Sequence, residues 1–175
     1  MAAFTDAMWA VCLAHEGTEY HDTAGDPGGP TKFGITLRLL QSLGIDINGD
    51  GVTDWKDVRD ITDVRARQIA AKEFFAKAGY TKLADQYIAA KVFDLAYNAG
   101  PHAANLILQR ACRACARPVA EDGALGPQTL AVANGITPGV LLPLLRCEAA
   151  SWYRLLVANG FPAKFLNGLL NRAYS

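Results

Sequence analysis

No surplus of either charge marks this chain: its 175 residues carry 17 lysines and arginines against 17 aspartates and glutamates. Without a net field, attraction to nucleic acid or to an anionic membrane is excluded as an organising feature, and neither is expected as a partner. Long hydrophobic runs are missing too. Val140 to Leu145 is among the longest, and Pro143 and Arg146 interrupt and bound it, far short of the roughly 20 apolar residues a bilayer demands. The first ten residues contain no basic segment, and Asp6 stands where the apolar core of an export signal would have to run, so none is expected. Cysteine is sparse and badly spaced for metal. Cys12, Cys112, Cys115 and Cys147 include one Cys-x-x-Cys pair, with no second pair or histidine at ligand spacing, and they read as buried free thiols rather than a disulfide framework. Period-2 alternation never runs beyond a few residues, and neither an internal repeat nor a low-complexity tract is present.

What remains is an apolar 3.6-residue rhythm, so the fold class is mainly α, in one compact unit or one core with a small appendage. A first helix is expected from about Thr5, with Phe4, Met8, Val11, Cys12 and His15 on one face and Glu16 at its edge just before Gly17. A second spans Leu37 to Leu43 and stops at Gly44. Asp54 or Asp57 starts a short turn. Thr62 caps a long helix through Phe74 and Phe75 to Gly79. Further helices cover about Ala84 to Ala99, His102 to Cys115, Pro127 to about Gly135, and Thr137 to Gly160, the last with its beginning bent by Pro143. The turn-rich stretch from Arg117 to Gly126 marks a candidate boundary between regions 1–116 and 117–175.

Chemistry concentrates after the first helix. Glu16 ends it, where the negative end of the helix dipole and the apolar Leu13 and Trp9 would favour a protonated carboxyl, the form a general acid needs. A solvated helix-end glutamate is the bland alternative. The loop that follows, Asp26-Pro27-Gly28-Gly29-Pro30-Thr31, returns a second carboxylate and a hydroxyl toward it, a layout suited to cutting a glycosidic bond. Asp26 as second acid competes with Asp26 as a simple turn initiator, and Glu19 and Asp22 compete with it for the acid role. Thr31 is a candidate to cap the loop or hold a water. If the second acid activates water, the sugar configuration inverts. On the later helix, Asp94, Tyr97 and Asn98 share a face. Tyr97 is expected to stack on a sugar ring and Asn98 to bond an acetamido group, whereas Asp94 reads as a solvated or loop-capping residue.

A second motif is independent of the first. In Asp46-Ile47-Asn48-Gly49-Asp50-Gly51-Val52-Thr53-Asp54-Trp55-Lys56-Asp57, oxygen-bearing side chains fall at positions 1, 3, 5, 9 and 12, glycine at 6, and the Val52 carbonyl at 7, which is the pattern of an EF-hand calcium loop. Ca2+ is therefore the expected cofactor, with Asp46, Asn48, Asp50, Val52, Asp54 and Asp57 as ligands in a helix-loop-helix insertion. Aspartate at position 12, as in dockerin modules, shortens the reach for bidentate coordination. An Asx-rich surface turn is the alternative, although its clustered acids would repel without a cation.

The segment Glu16-Gly17-Thr18-Glu19-Tyr20 through Asp26-Pro27-Gly28-Gly29-x-Thr31-x-x-Gly34-Ile35-Thr36 resembles the amino-terminal signature of glycoside hydrolase family 108 muramidases, roughly E-G-G-Y, D-P-G-G-x-T and G-I-T. The resemblance continues through Phe93-Asp94-Leu95-Ala96-Tyr97-Asn98-Ala99-Gly100-Pro101 and Asp122-Gly123-Ala124-Leu125-Gly126-Pro127-Gln128-Thr129-Leu130 to Phe165-Leu166-Asn167-Gly168-Leu169-Leu170-Asn171-Arg172. It departs from the pattern at Thr18, in place of a second glycine, and at Leu169, where tryptophan is usual. The resemblance implies a compact helical, lysozyme-like hydrolase of the β-1,4 bond between N-acetylmuramic acid and N-acetylglucosamine, with Glu16 as catalytic acid. It also implies a catalytic region over 1–116 and a peptidoglycan-binding-like region over 117–175 packed on the same core. A phage endolysin of this kind would act as a monomer on bacterial peptidoglycan, waiting in the host cytoplasm until a holin opens the membrane. Competing readings are a lytic transglycosylase acting on the same bond and a calcium-dependent, non-catalytic cell-wall binding module. Lys164, Phe165, Leu166, Leu169, Leu170 and Arg172 would form a weakly basic amphipathic helix, for which core packing is expected rather than membrane attachment. For Gly123 to Leu130, helix initiation and glycan contact stay equally open.

Overall fold

Thr5 opens the first helix, α1 (Asp6–Glu16), by accepting a hydrogen bond from the Met8 amide on its side chain, and Gly17 closes it at φ 75°. The face it buries is Met8, Trp9 and Cys12. The stripe is thus rotated from the expected one: Trp9 turns inward, where its indole N–H reaches Asp63, and Val11 is exposed. The computed structural model describes residues 1–22 and 29–175, so Asp26 lies outside the described residues. A short antiparallel hairpin follows, β1 (Thr31–Lys32) and β2 (Ile35–Thr36), with Thr31 opposite Thr36 and Lys32 opposite Ile35. Its two turn residues, Phe33 and Gly34, both have positive φ, at 55° and 77°, the geometry whose twist matches that of paired strands. Thr36 then caps α2 (Leu37–Leu43), which stops at the left-handed Gly44.

Beyond the acidic loop, Asp54 caps α3 (Trp55–Asp60) in a reciprocal box with Asp57, and Thr62 caps α4 (Asp63–Ile69). The continuous α-helix expected from here to Gly79 is not what forms. At Ala70 the chain passes into a π-helical segment, Ala70–Ala76. The wider turn brings two consecutive rings into the core: Phe74 packs on Tyr97 at 4.9 Å between centroids, and Phe75 packs on Phe4 and Phe93.

The centre of the molecule is α5 (Gln86–Ala99), capped by Asp85. All seven residues from Lys91 to Tyr97 are buried, so this helix has no solvent face over that stretch. Around it pack α1, the π-helical segment, α6 (Pro101–Ala114), α8 (Pro138–Ala158) and, through α8, α9 (Leu166–Tyr174). Pro143 is accommodated near the start of α8, which runs unbroken for 21 residues. A single hydrophobic core joins Phe93, Leu95 and Leu108 to Leu141, Leu145, Tyr153 and Ala173, so the C-terminal region is not a separate body. Among the described residues no single helix is long and apolar enough to cross a membrane. The pair that approaches this, α7 (Pro127–Gly135) with α8, is bent by 119° and contributes side chains to the core.

Two buried amides fasten the turn before α7 to α6. Gln109 Nε2 donates to Asp122 Oδ1 (2.7 Å), the Ala124 carbonyl (3.0 Å) and Thr129 Oγ1 (3.2 Å), while its Oε1 accepts from the Gly123 amide (2.9 Å). Asn105 donates to the Gly123 carbonyl. At Gly123 any Cβ would come within 2.5 Å of the His102 ring. The Asp122 to Thr129 motif is thereby accounted for by packing against α6. Replacing Gln109 with Ala strands the buried Gly123 N–H and removes the bonds to Asp122, Ala124 and Thr129, at about 3 kcal/mol in sum. Thermal unfolding followed by circular dichroism should show a melting temperature lower by roughly 6–12 °C.

Candidate active site

The α1 C-terminus, the hairpin turn, α5 and α9 converge on Glu16. Its side chain remains one-fifth exposed, opening into a groove of about 430 Å³ lined by His15, Glu16, Asn98, Phe161, Phe165 and Arg172 among others. Gly34 presses on it from the hairpin side. A Cβ there would stand 2.8 Å from Tyr97 Cε1 and 3.0 Å from Glu16 Oε2, so this position admits only glycine on grounds of space as well as φ. The strained turn is held by Tyr97, whose hydroxyl donates to the Phe33 carbonyl at 2.8 Å.

The setting of Glu16 differs from the apolar one expected. Its Oε1 lies 2.6 Å from Arg172 Nη2, a guanidinium that is itself only 4% exposed. The contact is a close ion pair between two buried atoms. Oε1 faces the guanidinium while the carboxyl as a whole stays one-fifth exposed at the edge of the groove, so a bound ligand can reach the acid from the open side. Arg172 is held from behind, its Nε 3.1 Å from Asp94 Oδ1. Lys91 Nζ lies 3.5 Å from Asp94 Oδ2 and also donates to the Arg172 carbonyl. Burial works against the charge on Arg172, yet Asp94 and Glu16 together hold its pKa above the usual value.

Of the expected glycan contacts, Asn98 is exposed in the groove, its Oδ1 accepting from the Tyr153 hydroxyl at 3.0 Å. Tyr97 is corrected. Its ring is buried edge-on against Trp9 and Phe74 and has no face free for a sugar, so it positions the hairpin instead. Asp94 is likewise neither solvated nor a loop cap, but the buried partner of Arg172. Thr31 is fixed by backbone pairing with Thr36 and by two 2.8 Å hydrogen bonds exchanged with His21. Asp22 is exposed and accepts from the Tyr20 hydroxyl, and Glu19 is exposed beside it. All four cysteines are free, but Cys147 is exposed, contrary to the expected burial. The residue sequence reasoning missed is Arg172. Its signal was a lone cation placed three residues after Leu169 on the inward face of α9.

The acidic loop has turned its oxygens onto its own backbone. Asp46 accepts from the Gly49 and Gly51 amides, Asn48 from Asp50, Asp50 from Val52, and Asp54 from Lys56. Asp57, fully buried, accepts from Ile47 and Asn48 on Oδ1 and from Asp54 on Oδ2, which closes the loop end to end. The donor set is all oxygen, which suits calcium in kind. Among the described residues no three His, Cys, Asp or Glu side chains stand ready to hold a metal ion.

A helical bundle with one carboxyl opening from a helix end into a groove is compatible with a glycan-hydrolase type of site. The comparisons agree. Residues 9–100 match the family model described as Glycosyl hydrolase 108, and residues 103–174 match the one described as Predicted Peptidoglycan domain. The chain belongs to the glycosyl hydrolase 108 family and is a lysozyme-like hydrolase acting on peptidoglycan. It is similar to a solved structure from Brucella abortus, SagA, at 26% identity and a TM-score of 0.70, over 97% of this chain and 92% of that one. No curated protein matches the chain.

Burial alone would push the Asp57 carboxyl up, but the amides of Asp54, Asn48 and Ile47 outweigh it and hold the pKa below the ordinary value. A folded-state pKa below the unfolded one means stabilisation that is present above the unfolded value and lost as pH falls through the folded one. Asp57→Asn should therefore lower the melting temperature at pH 7 and flatten its decline in acid. A pH series of thermal melts checks both.

Proposed function

We propose that the protein is an N-acetylmuramidase that hydrolyses the β-1,4 bond between N-acetylmuramic acid and N-acetylglucosamine, with Glu16 as general acid. The observation that carries this reading is the Glu16 carboxyl at the groove wall, one-fifth exposed, with the buried Arg172 guanidinium against its Oε1. Its proton passes to the bridging oxygen, the bond from that oxygen to the anomeric carbon breaks, and the electron pair leaves with the oxygen. Water then supplies hydroxide to the anomeric carbon while a second carboxylate, proposed to be Asp26, takes the remaining proton, with Thr31 holding that water. Asn98 is proposed to bond an acetamido group. Phe161 and Phe165, with ring centroids 5.6 Å apart on the same groove, offer apolar faces to the sugar rings in the place first expected of Tyr97.

The twelve-residue loop is proposed to take Ca2+ through Asp46, Asn48, Asp50, the Val52 carbonyl, Asp54 and Asp57. Its support is the donor chemistry and four carboxylates whose one ion-pair partner among the described residues is Lys56. The ion would stabilise α2 and α3 rather than enter the reaction. A phage endolysin setting, action as a monomer and release by a holin belong to the same proposal.

Glu16→Gln should fold as the wild type by circular dichroism and lose roughly 10²–10⁴-fold in peptidoglycan digestion. Full retained turnover would remove Glu16 from the mechanism. Among the residues lining the groove Glu16 is the one acid, which also suits a lytic transglycosylase. Mass spectrometry of the released muropeptides decides: reducing ends support hydrolysis and anhydro ends the transglycosylase. Millimolar Ca2+ should raise the melting temperature relative to chelator, and Asp50→Ala should abolish the difference. An equal melting temperature in calcium and in chelator would dismiss the calcium loop.

A further inference from the structure

The catalytic acid is not completed by the segment that matches the hydrolase family. That match ends at residue 100, whereas the cation against Glu16 comes from α9, inside the segment matched as a peptidoglycan domain. Arg172 is one of very few buried cations in the molecule, and its geometry is specific. One edge of the guanidinium meets Asp94, a second nitrogen meets Glu16, and Lys91 ties the same Asp94 to the Arg172 backbone. A planar fork can hold two carboxylates at once in a fixed relation, which a lysine ammonium cannot do. Resting on the muramidase reading above, we propose that Arg172 is a positioning residue for Glu16. It aims the carboxyl into the groove and stabilises the carboxylate that appears when the proton is delivered, while Asp94 and Lys91 keep the guanidinium in place.

The charge count supports this. Glu16 and Asp94 face Arg172 and Lys91, with Arg146 of α8 beside Lys91, so the cluster holds no excess of negative charge when Glu16 is ionised, which is its state after proton transfer. The other titratable groups packed around it are Cys12 and His15 on α1, Tyr97 on α5, and Tyr153 on α8. Burial pushes the Cys12 thiol and the Tyr97 and Tyr153 hydroxyls up, and pushes His15 down, so these four stay neutral near pH 7. Negative charge forming on Glu16 is therefore met by Arg172 at close range and low exposure, where such a contact acts more strongly in the transition state than in the ground state.

The test compares Arg172→Gln, Arg172→Lys, Asp94→Asn and the double variant Arg172→Gln/Asp94→Asn with wild type and Glu16→Gln. Turnover on soluble glycan fragments is normalised to folded protein by circular dichroism. Arg172→Gln is expected to lower kcat roughly 10²-fold with KM nearly unchanged. Arg172→Lys should recover part of the loss. Asp94→Asn, which leaves the Arg172 charge but cuts its tether, should lower kcat about tenfold, and the double variant should lose no more than Arg172→Gln alone. The double variant also removes one charge of each sign, so the net charge of the interior is unchanged. Wild-type kcat in the folded double variant would overturn the proposal, as would a rise in KM alone. Should the Arg172 variants not fold, unchanged kcat in Asp94→Asn overturns it equally. Inactivity of the wild type, or activity of Glu16→Gln, would instead strike the muramidase reading.

Discussion

A carboxyl group in a protein interior is costly to ionise and of little use as an acid if it cannot, so the placement of a countercharge decides what such a residue is able to do. In this molecule the countercharge is Arg172, and almost everything in the fold contributes to delivering it. Asp94 and Lys91 are buried because they hold the guanidinium. Helix α5, whose Val92, Phe93, Leu95 and Ala96 are buried alongside them, carries both, and α8 packs against α5 and α9 alike. Breaking up such a cluster one member at a time leaves an unpaired charge in a dry setting, which is why its parts behave as a unit.

The opposite side of Glu16 is governed by space. Gly34 at positive φ, the hydroxyl of Tyr97 on the Phe33 carbonyl, and the cross-strand pairing of Thr31 place the hairpin in direct contact with the acid. The glycine, tyrosine and threonine thus appear in one stretch of sequence logic for a shared reason: together they form a rigid wall for one side chain. The acidic loop stands apart from this, tied to α2 and α3, and its hydrogen bonds satisfy its own backbone rather than anything at the groove.

Much of this was legible in advance. Helix starts at Thr5, Thr36, Thr62 and Pro127 and stops at Gly17 and Gly44 follow from local capping chemistry, which depends on a few neighbouring residues. The candidate acid could be read because a helix end followed by a glycine-rich loop is also a local pattern. What escaped was non-local. Tyr97 looked like a groove residue because its helical face carries Asp94 and Asn98, and nothing in its spacing shows that Trp9 and Phe74 cover its ring. Arg172 read only as one basic residue of an amphipathic helix, because its partners lie on α1 and α5. The π-helical turn at Ala70 was hidden for the same reason, since it answers to the rings of Phe4, ahead of α1, and of Phe93 and Tyr97 on α5.

The pairing of Glu16 with Arg172 has a consequence for how the molecule comes into being. The two groups belong to elements separated by almost the whole sequence, so their meeting is among the longest loop closures the chain makes and cannot precede docking of α8 on α5. Partly folded forms, in which α9 is still loose, keep the acid but lack both the guanidinium and the groove wall that Gly168, Leu169 and Asn171 supply. Competence to cut a glycan would in that case arise in one cooperative step with completion of the fold, and fraying of a nine-residue helix would be enough to switch it off.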